Sequence, residues 1–167
     1  RQEQIQNQEN IIRAQEYRGD QRLQKVIEEG QQYIHRIRAC SEKISGQEIS
    51  KKISHMEMLV QKIFDRVRQD PNSLDDIGRM FEYYLPTTVK LLEAYQQLDS
   101  QPVQGENIRS SKMEIEQTLD TLNDAFERLL DSLFEEIAWD VSSDISVLHT
   151  MLAQEGLVGN EFERSNT

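Results

Sequence analysis

A single cysteine, Cys40, excludes a disulfide within this 167-residue chain and fits a reducing compartment. With only three prolines and seven glycines, the chain has little punctuation and reads as long helices. No run approaches the roughly 18 apolar residues of a membrane span, and no signal peptide is visible. The sequence opens on Arg1 rather than Met, which reads as a fragment and leaves room for a membrane anchor upstream. Apolar residues make up 37 %, below the usual share of a globular domain. Their strict periodicity nonetheless argues for a folded chain with narrow apolar seams and wide wet faces. Basic residues run short in the second part. Residues 1–69 carry thirteen Lys/Arg against ten Asp/Glu, a balance of +3. Residues 70–167 carry six against twenty, a balance of −14. A net charge of −11 argues against nucleic-acid binding, which needs a positive field. The plain reading is that opposite charges meet inside a bundle; the sharper one is an acidic face offered to a basic partner.

What is present is heptad rhythm. Leu23, Ile27, Gly30, Ile34, Ile37, Ser41 and Ile44 step by 4,3,4,3,4,3. Gly30 and Ser41 mark places where a partner helix comes close. Ser45 to Glu48 reads as a turn with a capping box. A second seam follows at Ile49, Ile53, Met56, Val60, Ile63 and Val67, widened by Leu59 and Phe64. Asp70-Pro71-Asn72-Ser73 interrupts it, with Ser73 as the expected cap of the next helix. The third seam is Leu74, Ile77, Phe81, Tyr84, Thr88, Leu91, Tyr95 and Leu98. Asp99 to Glu106 is a loop. The last seam is Ile108, Lys112, Ile115, Leu119, Leu122, Phe126, Leu129 and Leu133, continuing less strictly through Ile137, Val141, Ile145, Leu148 and Leu152. Gly156 is the expected stop, and Ser142-Ser143 the expected kink.

The pattern predicts an all-α fold, an elongated antiparallel helical bundle. Matched arm lengths favour three long arms, the middle one broken near Pro71 and Pro86. An up-down four-helix bundle is the alternative if the chain reverses at both 45–46 and 70–73. Residues 1–19, Gln-rich with few aliphatics, read as a marginal or frayed helix interrupted at Gly19-Asp20, with Asp20 as an N-cap. Residues 20–156 form the bundle, and 157–167 a polar tail.

Chemistry is hard to find. His35, His55 and His149 have no second His or Cys at metal spacing, so no metal site and no cofactor are expected. Asp120, Asp124, Glu127, Asp131 and Glu135 step by 4,3,4,4 and form an acidic stripe. Aligned carboxylates suit a hard cation, but the Glu-x-x-His pattern of di-metal bundles is absent; a solvated face or a docking strip for Lys/Arg is the better account. No Walker loop or Cys-based phosphate loop occurs. The remaining candidate is the helical stretch around Pro86, which lacks an N–H and crowds the carbonyl of Glu82. Thr87 and Thr88 are placed to bond freed backbone groups. With Tyr83, Tyr84 and Lys90 they make a candidate binding surface at a kink.

The string YYLPTTVKLLEAY, Tyr83 to Tyr95, resembles the hallmark of the bacterial XpaC-like family, the 5-bromo-4-chloroindolyl phosphate hydrolysis proteins. KIFDRVRQDPNSLDDIGRMF, Lys62 to Phe81, and AFERLLDSLFEEIAWDVSSDISVLHTMLAQEGL, Ala125 to Leu157, are similar to flanking segments of that family. The likeness covers roughly residues 50–157 and not the Gln-rich start. It implies a bacterial helical protein, and the name implies hydrolysis of a chromogenic phosphate. It also implies a link to the helical toxic-anion (tellurite) resistance proteins, one of which would be the protein partner. It supplies no catalytic residue. The resulting expectation is a non-catalytic scaffold or adaptor of a stress or toxic-anion-resistance system, with a phosphate-ester hydrolase or phosphate-binding protein as the alternative. It is placed in the cytoplasm, self-associating or peripheral to the membrane only through an upstream segment.

Overall fold

Five α-helices and no strand occur among the described residues, 1–158 of this computed structural model. α1 spans Gln2–Lys43, α2 Gln47–Gln69, α3 Leu85–Asp99, α4 Glu106–Ser132 and α5 Glu135–Gln154. A 3₁₀ stretch, Pro71–Ile77, and a π turn, Met80–Tyr84, lie between α2 and α3. The chain divides into two compact units, Arg1–Leu130 and Asp131–Thr167.

The first unit is built on the second seam. Ile49, Ile53, Met56, Val60, Ile63 and Val67 are each at most 2 % exposed. Full burial of such a side chain contributes about 1.5–3 kcal/mol, so this one face of α2 anchors the bundle. α1 adds Ile34, Ile37 and Cys40, and Ile44 follows just past its end. At Gly30 the helices meet closely, as its place in the seam predicts. A Cβ added there would lie 2.5 Å from Cζ of the Phe64 ring, so only glycine leaves room for that ring.

Cross-helix pairs fix the directions. Gln31 meets Gln61 while Arg38 meets Glu57, so α1 and α2 are antiparallel. Arg22 meets Asp75, Tyr33 stacks edge-on to Phe81 and Arg36 meets Glu93; both numbers rise together, so α3 runs with α1. Tyr95 meets Glu116 and Asp99 meets Lys112, which makes α4 antiparallel to α3. The first unit is therefore an up-down four-helix bundle. This corrects the favoured three-arm arrangement: the chain reverses near Pro71 instead of bending. Pro71 opens the 3₁₀ stretch, where its fixed φ and missing N–H suit a first turn. The Ser73 N–H and Oγ both donate to the Asp70 carbonyl, at 3.0 and 2.6 Å, and close the corner.

Other local expectations change as well. α1 passes through Gly19 and Asp20 without a break, so Asp20 caps nothing. A glycine inside a helix costs only about 1 kcal/mol, too little to end a helix of 42 residues. Its residues 2–22 are exposed on every side. Gly46, not Ser45, precedes α2, and no side chain caps that end, so the capping box does not form. Ser73 is a buried corner residue and not a cap.

The third seam holds at Leu74, Ile77, Thr88 and Tyr95 and fails between them. The residues that face inward are Leu74, Ile77, Met80, Leu85, Thr88, Val89, Leu92 and Tyr95. Phe81 is only half-buried and Tyr84 is 44 % exposed. The step from Met80 to Leu85 is five residues because the π turn inserts one extra, closing with the Leu85 N–H on the Met80 carbonyl. Pro86 then falls in the first turn of α3. The α-type bond that Pro86 would disrupt is already absent there, so the π turn absorbs the proline.

In the second unit the break between α4 and α5 falls at Leu133-Phe134 and not at Ser142-Ser143. The Phe134 N–H donates to the Asp131 carbonyl at 3.0 Å, a turn with no Gly or Pro to announce it. α5 ends as predicted at Gly156, whose φ is +74°. The Gly156 N–H bonds to Ala153 at 3.1 Å and the Leu157 N–H to Leu152 at 3.0 Å, the paired bonds of a Schellman ending. Of the expected polar tail, residues 159–167 lie outside the described residues. Among the described residues no helix is long and apolar enough to cross a membrane.

Candidate functional site

Three places bring polar side chains together, and a fourth exposes apolar ones. At the Pro86 stretch, Tyr83, Tyr84, Thr87 and Lys90 are exposed and Pro86 is half-buried. Thr88 is fully buried, and its Oγ1 donates to the Tyr84 carbonyl at 2.5 Å. That is the ordinary bond of a helical threonine to the carbonyl four residues back, made also by Thr118, Thr121 and Thr150, and it does not reach the Glu82 carbonyl that Pro86 crowds. Tyr83, Thr87 and Lys90 stand at i, i+4 and i+7 on one outward row, with Thr88 turned inward.

The acidic stripe divides between the units. In the first, Asp120 takes Lys52 at 2.9 Å and Glu127 meets His55 Nε2 at 2.6 Å. Asp124 stands exposed between them, and Asn123 is buried beneath, its Nδ2 donating 3.0 Å to the Lys52 carbonyl. Asn123 Oδ1 is buried without a protein partner. Asp131 and Glu135 belong to the second unit, where both are exposed. Among the described residues no three His, Cys, Asp or Glu converge as a metal site would require. The His55 contact was invisible in the sequence, because its partner lies 72 residues away with no local spacing to reveal it.

The third cluster joins α3 to α4. Tyr95, 3 % exposed, donates from its hydroxyl to Glu116 Oε1 at 2.6 Å. Burial, then the Glu116 carboxylate, pushes its phenol well above the ordinary tyrosine range. Lys112 reaches Asp99 at 2.9 Å and Gln104 at 3.1 Å, with its ammonium 5.4 Å from the Tyr95 ring centre. The seam placed Lys112 at a core position. Its stem takes that place while its charged head reaches out to the loop. The cluster is internally satisfied and clasps the α3–α4 loop.

Part of the sign imbalance along the chain is met by such pairs. Arg22–Asp75, Arg36–Glu93, Lys52–Asp120 and His55–Glu127 all join the basic first part to the acidic second part. A cavity of about 220 Å³ lies beside the first of these, lined by Arg22, Lys25, Val26, Ile77, Phe81 and Glu82 among others. It lies between α1 and the 3₁₀ and π stretch before α3, and holds none of the six Pro86-stretch candidates.

α5 differs from all of this. None of its residues is buried. Ile137, Val141, Ile145 and Leu148 are 43–56 % exposed, although they continue the seam of α4.

A family model described as 5-bromo-4-chloroindolyl phosphate hydrolysis protein matches residues 2–148. No curated protein and no solved structure matches the chain. The match reaches back over the Gln-rich start, which carried no recognisable motif, and stops short of Leu157. The π turn, Pro86 and the string that follows it thus sit inside a match that spans all four helices of the bundle, and the chain belongs to the 5-bromo-4-chloroindolyl phosphate hydrolysis protein family.

Proposed function

We propose that the protein is a non-catalytic helical scaffold or adaptor that works by presenting helix faces to a protein partner. The observation that carries this reading is α5, an entire helix whose seam residues face solvent. A contiguous apolar patch left in water marks an interaction surface far more often than an idle one. The paired carboxylates and cations of the bundle support the same reading, since each cross-helix pair joins one helix to another. A cytoplasmic place, and a role in a bacterial stress or toxic-anion-resistance system beside a helical partner, belong to this proposal through the family likeness.

The second reading is phosphate-ester hydrolysis, favoured by the family's description. Lys52, His55, Asp120 and Glu127 would be its best candidates, because a cation, an imidazole and carboxylates adjoin there. The test is steady-state assay of the purified chain with 5-bromo-4-chloro-3-indolyl phosphate. The scaffold reading expects a rate no higher than that of the heat-denatured chain. Enzyme-like turnover that a His55→Ala or Tyr83→Phe variant abolishes would overturn it.

A further inference from the structure

We infer that the apolar face of α5 is a docking surface for an amphipathic helix of a partner protein, one whose aliphatic stripe is flanked by Lys or Arg. The inference rests on the scaffold reading and gives its partner a chemistry. Ile137, Val141, Ile145, Leu148 and Leu152 step by 4,4,3,4, which places them in one stripe along the helix. The first four are 43–56 % exposed and Leu152 is half-buried. A helix of 20 residues is about 30 Å long, enough for a partner helix to lie along it over five turns.

Charge says what lies there. Glu136, Asp140 and Asp144, four residues apart, form a row that runs along one side of the stripe. All three are exposed. From Leu129 to Glu163 the chain has no Lys or Arg at all. Nothing nearby along the chain neutralises that row, so the complement must come from the occupant. Side-by-side pairing of α5 with its copy would bring acidic rows into the same contact, a like-charge arrangement that opposes association. An anionic bilayer is opposed for the same reason, because interfacial helices carry Lys and Arg beside their apolar face and α5 carries only acids. A helix with an aliphatic stripe and basic flanks satisfies both features of the surface.

The test is calorimetric titration of the full chain with two synthetic amphipathic helices of about 20 residues. They share one Leu/Ile seam; one has Lys at every flanking position and the other Glu. The Lys-flanked helix should bind about tenfold or more tightly than the Glu-flanked one. Ile145→Glu should abolish binding, and the triple variant Glu136→Lys, Asp140→Lys, Asp144→Lys should reverse the preference. All four positions are exposed, and circular dichroism melting checks that the variants fold. No binding, equal binding of both helices, or a preference that survives the charge swap would overturn the proposal. So would a dimer in sedimentation equilibrium, or capture by phosphatidylserine vesicles, that Ile145→Glu removes. The indolyl phosphate assay separates the two levels. Failed binding without turnover removes this surface alone, whereas turnover lost in a point variant removes the scaffold reading itself.

Discussion

α2 and α5 are written in the same grammar and end in opposite places. Both carry aliphatic residues at helical spacing. In α2 the seam residues are at most 2 % exposed, and in α5 the comparable residues are 43–56 % exposed. The difference lies in what faces them and not in their own sequence. α2 is antiparallel to α1, parallel to α4 through Lys52–Asp120 and His55–Glu127, and its seam is enclosed in the bundle. α5 stands in the second unit with no buried residue. Periodicity therefore reports which residues share a face, and burial depends on whether the fold supplies a cover for it.

The sharpest way to break this comparison is a matched pair of truncations. Phe64→Ala should cost about 3–5 kcal/mol, because the ring is fully buried against Gly30. Ile145→Ala on α5 should stay within about 0.5 kcal/mol, as surface substitutions do. Urea denaturation midpoints of the two variants measure both. A similar large loss at Ile145 would mean that α5 is covered after all.

A smaller effect separates the Tyr95 clasp from the solvated surface. The folded-state pKa of Tyr95 is raised, so its phenol is held protonated more strongly in the native state than in the unfolded chain. Its contribution is complete below the unfolded value of about 10 and is lost as pH rises above that toward the folded value. Stability of the natural chain should therefore fall more steeply above about pH 10 than that of Tyr95→Phe. Thermal melts across that range check the slope. Equal slopes would mean that Tyr95 is neither buried nor bonded to Glu116 in solution.

The smallest effect belongs to the exposed cross-helix pairs. Arg36→Gln should cost about 0.2–1 kcal/mol at low salt and less at high salt, since both partners are about half exposed. A salt series of melting temperatures reads it, and a loss that is indifferent to salt would show that Arg36 acts by packing.

Much of the bundle was legible because its signals are local and repeated. Four seams, the 99–106 loop and the Gly156 stop each follow from residue type at fixed spacing. The features that were not legible have distant or subtle causes. The π turn displaces the third seam locally, so Phe81 and Tyr84 were placed inside in the stead of Met80 and Leu85, while Thr88 and Tyr95 kept their places. Pro86 signalled a disturbance, but not that an extra residue would absorb it. The break at Leu133-Phe134 has no Gly or Pro to mark it, and Ser142-Ser143 drew attention to the wrong place. The choice between three arms and four helices turned on the direction of the chain after Pro71, which only distant pairs such as Arg36–Glu93 reveal. Of the candidate site residues, the sequence placed Thr88 on the inward face. It did not indicate that Lys52 and His55 would take two carboxylates of the acidic stripe, because those pairings span 68 and 72 residues.

The most direct measurement is amide hydrogen exchange of the purified chain, alone and with the Lys-flanked helix. Alone, amides of α2 should exchange only through global unfolding, while those of α5 exchange through local opening and lose protection far sooner. Addition of the helix should protect α5 and leave α2 unchanged. Equal protection of α5 and α2 in the chain alone, or no gain in α5 on addition, would contradict the account of α5 as an uncovered docking face.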